Sequence, residues 1–341
     1  MFKALMYFSL AVISLQCGGQ KSVNAHIKLN ASSTYPSQKD SLSFTLKAKG
    51  QTTIDSVHFN SNNKRVQSPL ALSDFNLGKH QIKAIAYVGG KSFNFTKDFW
   101  VYASKEPKLL KYRIRNQYPH DPKAYTQGLE FDGEDLYEST GLNGRSSLRR
   151  VNYKTGEILQ EQKLDQVYFG EGLTVVDKKV IQLTWKAQMG FVYDKESLQM
   201  LDTFAYTESQ QGWGLCHNDQ KLFKSDGTHQ IWFLDKNTLT ERGKIQVMTH
   251  NKPINKINEL EYAKGLIYAN TYQFGKDVAV VIHPETGVIE GVIDFTGLRE
   301  KLKNNPKAEV LNGIAYHPKR NTFFVTGKLW NTLFEVEFYE P

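Results

Sequence analysis

A chain of 341 residues, 40% hydrophobic and 23% charged, is long enough to bury two separate cores, and no tract in it is of low complexity. Its net charge of +8 is mild for this length and no nucleic-acid-binding motif accompanies it, so nucleic acid is not an expected partner. Beyond the first residues no apolar stretch is long enough to cross a bilayer as a helix, and the 17 Tyr, 20 Phe and 5 Trp, many in short alternating runs, favour β structure.

The amino terminus, MFKALMYFSLAVISLQCGG, has one basic residue, Lys3, and then an apolar run ending at Leu15. That run is too short for a membrane span and fits a secretory signal. Cys17, followed by Gly18 and Gly19, resembles the lipobox of bacterial lipoproteins, although Ser14 and Gln16 depart from its usual residues. The ordinary alternative is a cleaved signal in which Cys17 is incidental. The other cysteine, Cys216, lies far away between strand-like runs. An acylated Cys17 and a buried free thiol explain the pair better than a disulfide, though a Cys17–Cys216 bridge stays open. The expectation is a signal over 1–17, a polar tether over 18–40, and an exported protein lipid-anchored to a bacterial membrane, facing the periplasm or the cell surface.

Alternating runs follow: Ser41–Leu46, Ile54–Phe59, Gln81–Tyr87 and Phe93–Phe99, the last two joined as a hairpin through Gly89 and Gly90. Short strands without helical period predict a small immunoglobulin-like β-sandwich over 41–104. Between Asn24 and Ser104 there are ten Lys or Arg against four Asp, a pattern that usually marks a solvated face. Pro107 and its charged neighbours mark the boundary.

From 111 to 341 the sequence repeats. QGLEFDGEDLYEST at 127, EGLTVVDKKVIQLT at 171, WGLCHNDQKLFKSD at 213, NELEYAKGLIYANT at 258 and NGIAYHPKRNTFFVTG at 312 open alike. Their third-place residues, Leu129, Leu173, Leu215, Leu260 and Ile314, are spaced by 44, 42, 45 and 54. Units of forty-odd residues with several short strands each predict a five-bladed β-propeller, so the fold class is all-β. The long last spacing is assigned to a helix-like insertion at 296–306. Closure is expected from Tyr112–Asn116 pairing with the terminal run Leu333–Phe338, which removes an open edge.

In such a ring Gln127, Glu171, Trp213, Asn258 and Asn312 occupy equivalent places around the axis. Polar residues brought there from five segments make either a site or a structural water channel. The nine histidines include no pair within five residues, so HExxH-type zinc patterns are absent, as are a GxSxG elbow and a phosphate-cradling loop. What remains is one carboxylate between two glycines (YFGEGL, 168–173), several amides, Lys328 and a supply of tryptophans.

Eight motifs in order then resemble the plant-type (papaya-latex type) glutaminyl cyclases and their bacterial relatives. They are Tyr-Thr-Gln-Gly-Leu (125–129), Glu-Ser-Thr-Gly (138–141), Gly-Glu-Gly-Leu-Thr (170–174), Leu-Thr-Trp (183–185), Gly-Trp-Gly-Leu (212–215), Asn-Glu-Leu-Glu (258–261), Leu-Asn-Gly-Ile-Ala-Tyr (311–316) and Val-Thr-Gly-Lys (325–328). The resemblance runs over about residues 112–338 and leaves out the first domain. It implies a five-bladed propeller, in agreement with the repeat count. It also implies conversion of a peptide's amino-terminal glutamine to pyroglutamate with release of ammonia, without the catalytic zinc of the animal-type enzymes. By the same resemblance the acid–base carboxylate falls on Glu171. Polar substrate contacts fall on Gln127, Asn258 and Lys328; on chemical grounds the developing oxyanion needs donors, for which either Lys328 or the amides of Gln127 and Asn258 are available. The aromatic lining falls on Phe169, Trp185 and Trp213. Tyr272 stands where the family often has tryptophan and Tyr125 where phenylalanine is common. Each keeps an aromatic face and adds a hydroxyl, which puts substrate preference in doubt, not the reaction.

A carboxyl beside Phe169 and tryptophans is desolvated and can carry a proton near neutral pH, and the glycines beside Glu171 are expected to leave room for a peptide terminus. Asn312 is expected to be structural, Asp226 a turn former, and Glu259 and Glu261 carry no assignment. Two other readings compete: a metal-dependent lactonase-like hydrolase using Glu171, Asn258 and an aspartate as ligands, and a non-enzymatic surface binding module. No cofactor is expected for catalysis. A structural calcium in the channel stays open, and a monomer is expected.

Overall fold

The computed structural model describes residues 23–273 and 275–341. The expected signal segment and Cys17 lie outside the described residues.

Two antiparallel sheets come first. Strands Ala25–Ala31, Ser41–Ala48 and Leu70–Ala71 form one. Lys64–Val66, Ser56–Ser61, Gly78–Val88 and Lys91–Val101, in that spatial order, form the other. Alternation makes them: Leu42 and Phe44 from one strand, and Ile82 and Ala84 from another, point into a core shared with Ile27, Phe99 and Val101. Gly89 and Gly90 make the hairpin turn, both at positive φ, and Val88 pairs with Lys91. The expected tether to residue 40 is overturned from Ala25 on. Residues 25–31 form a strand paired with Ser41–Ala48, because His26-Ile27-Lys28-Leu29 alternates and buries Ile27. The surrounding Ser and Asn residues mask that alternation.

From Lys108 the chain builds one unit repeatedly, a four-stranded antiparallel meander. Three units are separate sheets: Thr126–Asp132 to Glu157–Lys163, Gly170–Val176 to Met200–Ala205, and Leu215–His217 to Glu241–Gln246. The fourth runs from Ile257–Ala263 to Ile289–Asp294, and the fifth comprises Leu311–His317, Thr322–Gly327, Thr332–Tyr339 and, from the other end of the repeat, Lys108–Pro119. These two units share an eight-stranded sheet through a short parallel pairing of 291–293 with 108–110. The closure read from the sequence is present, with Ile114 opposite Val336 and Tyr112 opposite Phe338.

The first strands of the units touch in a closed cycle, 126–132 with 170–176, 170–176 with 215–217, 215–217 with 257–263, 257–263 with 311–317, and 311–317 with 126–132. Hydrophobic clusters fill the wedges between neighbouring units. Leu173 packs with Tyr137 and Leu148, Trp232 with Ile181, Ile267 with Phe223, Phe323 with Tyr268, and Ala315 and Phe324 with Leu129. Each large side chain so buried contributes about 1.5–3 kcal/mol. The insertion at 296–306 holds a single 3-10 turn, Arg299–Lys301, in place of the expected helix. Gly297 and Asn304, both at positive φ, bracket too few residues to propagate one.

The amino-terminal sheets pack on the third and fourth units. Met248, from the loop between those units, is fully buried in their core, Lys79 N donates to Gln246 Oε1 at 2.9 Å, and the rings of Trp100 and His229 lie 5.8 Å apart.

Candidate active site

The first strands carry a repeated irregularity. Thr126 and Gly128 both pair with the next strand while Gln127 is skipped. In the second, fourth and fifth units the pairing jumps from Gly170 to Leu173, from Ile257 to Leu260 and from Leu311 to Ile314. A bulge re-aims the residue it leaves unpaired. The skipped residues include Gln127, Glu171, Asn258 and Asn312, four of the five positions that the repeat aligns. In the third unit pairing starts only at Leu215, and Trp213 precedes it.

One cavity of about 180 Å³ receives all of these side chains except that of Asn312. Its lining is Tyr125, Gln127, Phe169, Glu171, Trp185, Trp213, Asn258, Tyr272 and Lys328, so every cavity residue singled out in the sequence is brought together. The floor is polar and buried: Gln127, Glu171, Asn258 and Lys328 are 3, 4, 2 and 4% exposed. The walls are half-buried aromatics set edge to face. Phe169 meets Trp185 at 5.6 Å and Tyr125 at 6.1 Å, and Trp213 meets Tyr272 at 5.9 Å.

Lys328 lies in the turn after Thr322–Gly327. Its Nζ is 4.7 Å from the ring centre of Tyr125 and 5.0 Å from that of Tyr272, where aromatic faces favour a cation. Leu329 follows at φ +60, a left-handed conformation uncommon for leucine that turns the chain sharply after Lys328. Burial pushes the Lys328 ammonium below its ordinary pKa, opposed by the charges of Glu171 and Glu309. Burial likewise pushes the Glu171 carboxyl well above the usual range, opposed by Lys328. Glu171 Oε2 and Asn258 Oδ1 are both buried without a hydrogen-bond partner. Unsatisfied acceptors on a cavity floor are places for a ligand's donors.

The glycines beside Glu171 do not leave room for a ligand as expected. A Cβ on Gly170 would lie 2.6 Å from Thr140 O, and one on Gly172 would lie 2.6 Å from both Trp213 O and Leu215 N. Gly172 N donates to Trp213 O at 2.6 Å. Neighbouring backbone fills the space, so these glycines let the units stand shoulder to shoulder.

Asn312 is structural: its Nδ2 donates to Gln127 Oε1 at 3.0 Å and to Thr126 O at 2.9 Å, fixing the Gln127 amide. Asp226 forms a turn, accepting from Thr228 N and Oγ1 and from Trp232 Nε1. Glu259 staples units together by accepting from Leu129 N and Ile314 N, and Glu261 accepts from Tyr316 N. Cys216 is a buried free thiol, pushed to high pKa by burial. Two residues at the cavity were missed. Glu309 Oε2 accepts from Tyr125 Oη at 3.0 Å, and Gln211 Oε1 accepts from both wall tryptophans. Neither lies at a repeated position, and the one signal for Gln211 is its place two residues before Trp213.

Residues 85–338 match the glutamine cyclotransferase family. The chain is 37% identical over 263 residues to the glutaminyl-peptide cyclotransferase of Arabidopsis thaliana, a stretch that spans 74% of this chain and 81% of that protein. It is similar to the crystal structure of Myxococcus xanthus glutaminyl cyclase, with a TM-score of 0.63 and 36% identity, covering 68% of this chain and 98% of that one. The family match starts inside strand Gly78–Val88, earlier than the motifs at about 112 indicate, and so takes in part of the amino-terminal sheets. On this breadth of match, and with the family that the eight motifs resemble, the chain belongs to the glutamine cyclotransferase family.

Proposed function

We propose that this cavity cyclises the amino-terminal glutamine of peptides or proteins to pyroglutamate and releases ammonia, which makes the chain a glutaminyl-peptide cyclotransferase. The observation that carries the reading is a buried carboxyl at Glu171, with one oxygen unpartnered, on the floor of an aromatic-walled cavity that also holds Lys328.

The chemistry follows from the groups present. A free α-amine has a pKa of about 7.7–8.0, so a useful fraction is neutral near pH 8. Its lone pair attacks the substrate's own side-chain amide carbon, and the carbonyl π pair moves onto oxygen. Positioning between the aromatic walls supplies much of the acceleration. The oxyanion is met by N–H donors from Lys328 and from the Gln127 or Asn258 amide. The partnerless Oδ1 of Asn258 accepts from the α-amine and orients it. Burial favours neutral Glu171, which gives its proton to the departing amide nitrogen as that C–N bond breaks. The carboxylate left behind takes the surplus proton from the new ring nitrogen and is restored. One ammonia leaves and no step calls on a metal or other cofactor. The lactonase-like reading needs an aspartate beside Glu171 and Asn258, and no aspartate lines the cavity. Among the described residues no group of three or more His, Cys, Asp or Glu is placed to hold a metal ion.

The proposal extends to the rest of the chain. The closed cycle of five four-stranded units supports a five-bladed propeller. Two sheets around one core support an immunoglobulin-like sandwich over 41–104, extended by strand Ala25–Ala31. The signal-like segment ending at Cys17 supports export and a lipid anchor on a bacterial membrane facing the periplasm or cell surface.

Incubation with Gln-initiated, Asn-initiated and blocked peptides, followed by mass spectrometry, tests the function. Loss of one ammonia from the Gln-initiated peptide alone is expected. Binding of that peptide without ammonia loss would make the cavity a recognition site only.

A further inference from the structure

We propose that Gln211 is the positioning residue that sets the two tryptophan walls of the cavity. This rests on the proposed cyclase reading for the substrate, while the geometry stands by itself. Gln211 Oε1 accepts the indole N–H of Trp185 at 2.6 Å and that of Trp213 at 2.8 Å. The two rings come from different units, Trp185 from the turn after Lys179–Thr184 and Trp213 from the segment entering Leu215–His217. One carbonyl oxygen has two lone pairs, and both are used to hold the two walls at a fixed mutual orientation.

The backbone carrying Gln211 is itself clamped. Gln211 O accepts from Lys224 Nζ at 3.0 Å. Lys224 is fully buried, lies 3.3 Å from Glu241 Oε1 and donates to Ser209 Oγ. Glu241 in turn accepts from Glu208 N at 2.8 Å and from Ser209 N at 3.2 Å. Gly212 N donates to Trp185 O at 3.0 Å, tying the same segment to the second unit. A buried Lys–Glu pair is a costly way to hold a loop, and its attested use is to fix one arrangement. Here the arrangement fixed is the position of the Gln211 amide.

Without that oxygen both indole N–H groups lose their partner, and each ring is free to turn about its side-chain torsions. The walls then hold the substrate's glutamine side chain less well, in the ground state as in the transition state.

The test uses the full chain and three substitutions: Gln211→Leu, Gln211→Glu, which keeps an acceptor, and Gln210→Leu at the exposed neighbour. Two readouts are taken, the five indole N–H resonances without substrate and the kinetics on a Gln-initiated peptide. In Gln211→Leu the Trp185 and Trp213 resonances shift while those of Trp100, Trp232 and Trp330 stay. KM rises about tenfold with kcat changed by less than about threefold, because the two lost hydrogen bonds loosen walls that hold ground state and transition state equally. Gln211→Glu restores both readouts towards wild type, and Gln210→Leu changes neither. Unmoved Trp185 and Trp213 resonances, a shift of all five together, unchanged KM, or Gln211→Glu as impaired as Gln211→Leu would each overturn the proposal. Absence of ammonia release from the wild type would remove the cyclase reading instead, and the resonances alone would then decide the role of Gln211.

Discussion

Glu171 and Lys328 share one cavity floor, where burial drives both towards neutrality and the charge of each resists that change in the other. Neutral Glu171 and charged Lys328 are thereby set by the same burial and by each other's charge. The pH dependence follows. kcat/KM should rise with pH as the substrate amine deprotonates, at about 7.7–8.0. It should fall again once Glu171, held protonated well above the ordinary carboxylate range, ionises. A bell-shaped profile in initial ammonia release is the expected outcome, and a rate that keeps rising to high pH would count against a neutral Glu171.

Lys328→Met removes the positive charge that opposes neutral Glu171. The Glu171 pKa should climb further, so the alkaline limb moves to higher pH. Loss of an oxyanion donor should also lower kcat by about 10²–10³-fold. The rate–pH profile of the variant reads both, and a limb moving to lower pH would contradict the coupling.

Gly172→Ala should destabilise the fold. Its Cβ would sit 2.6 Å from Trp213 O and Leu215 N, backbone atoms that cannot swing aside. A loss of about 1–3 kcal/mol is expected from such overpacking, seen as a lower Tm. Gly243→Ala, whose nearest neighbour would be Phe233 at 3.9 Å, should be tolerated and serves as the comparison.

Acid should open the ring at its closure. Burial pushes the Glu335 carboxyl up, but hydrogen bonds from Arg320, Asn116, Thr322 and Tyr118 outweigh it and bring the pKa from 4.5 to about 2. Asn116 and Tyr118 belong to the opening strand, so Glu335 bonds the two ends of the repeat together. A depressed carboxylate pKa stabilises the fold above the unfolded value and is lost as pH falls through the folded one. Stability measured by urea unfolding should therefore decline between about pH 4.5 and 2, and Glu335→Gln should flatten that decline.

The repeat was legible because Leu129, Leu173, Leu215, Leu260 and Ile314 are all buried in strands packed between neighbouring units, which forces one apolar residue into each unit at the same place. Glu171, Asn258 and Lys328 were legible through the motifs that surround them. The glycines were seen but misread, since a sequence shows that a side chain is missing and not which backbone fills the gap. Strand Ala25–Ala31 was hidden by polar neighbours. Gln211 was illegible because its role lies in one oxygen placed between rings 26 and 2 residues away, a relation made by the fold alone.

Ammonia release from a Gln-initiated dipeptide amide, measured for wild type and Glu171→Gln with and without a chelator, tests proton transfer by Glu171 most directly. Chelator-insensitive release by the wild type is expected, with a fall of about 10²–10⁴-fold in kcat for the variant and KM little changed. Release by Glu171→Gln at the wild-type rate, or wild-type release abolished by the chelator, would contradict metal-independent proton transfer by Glu171.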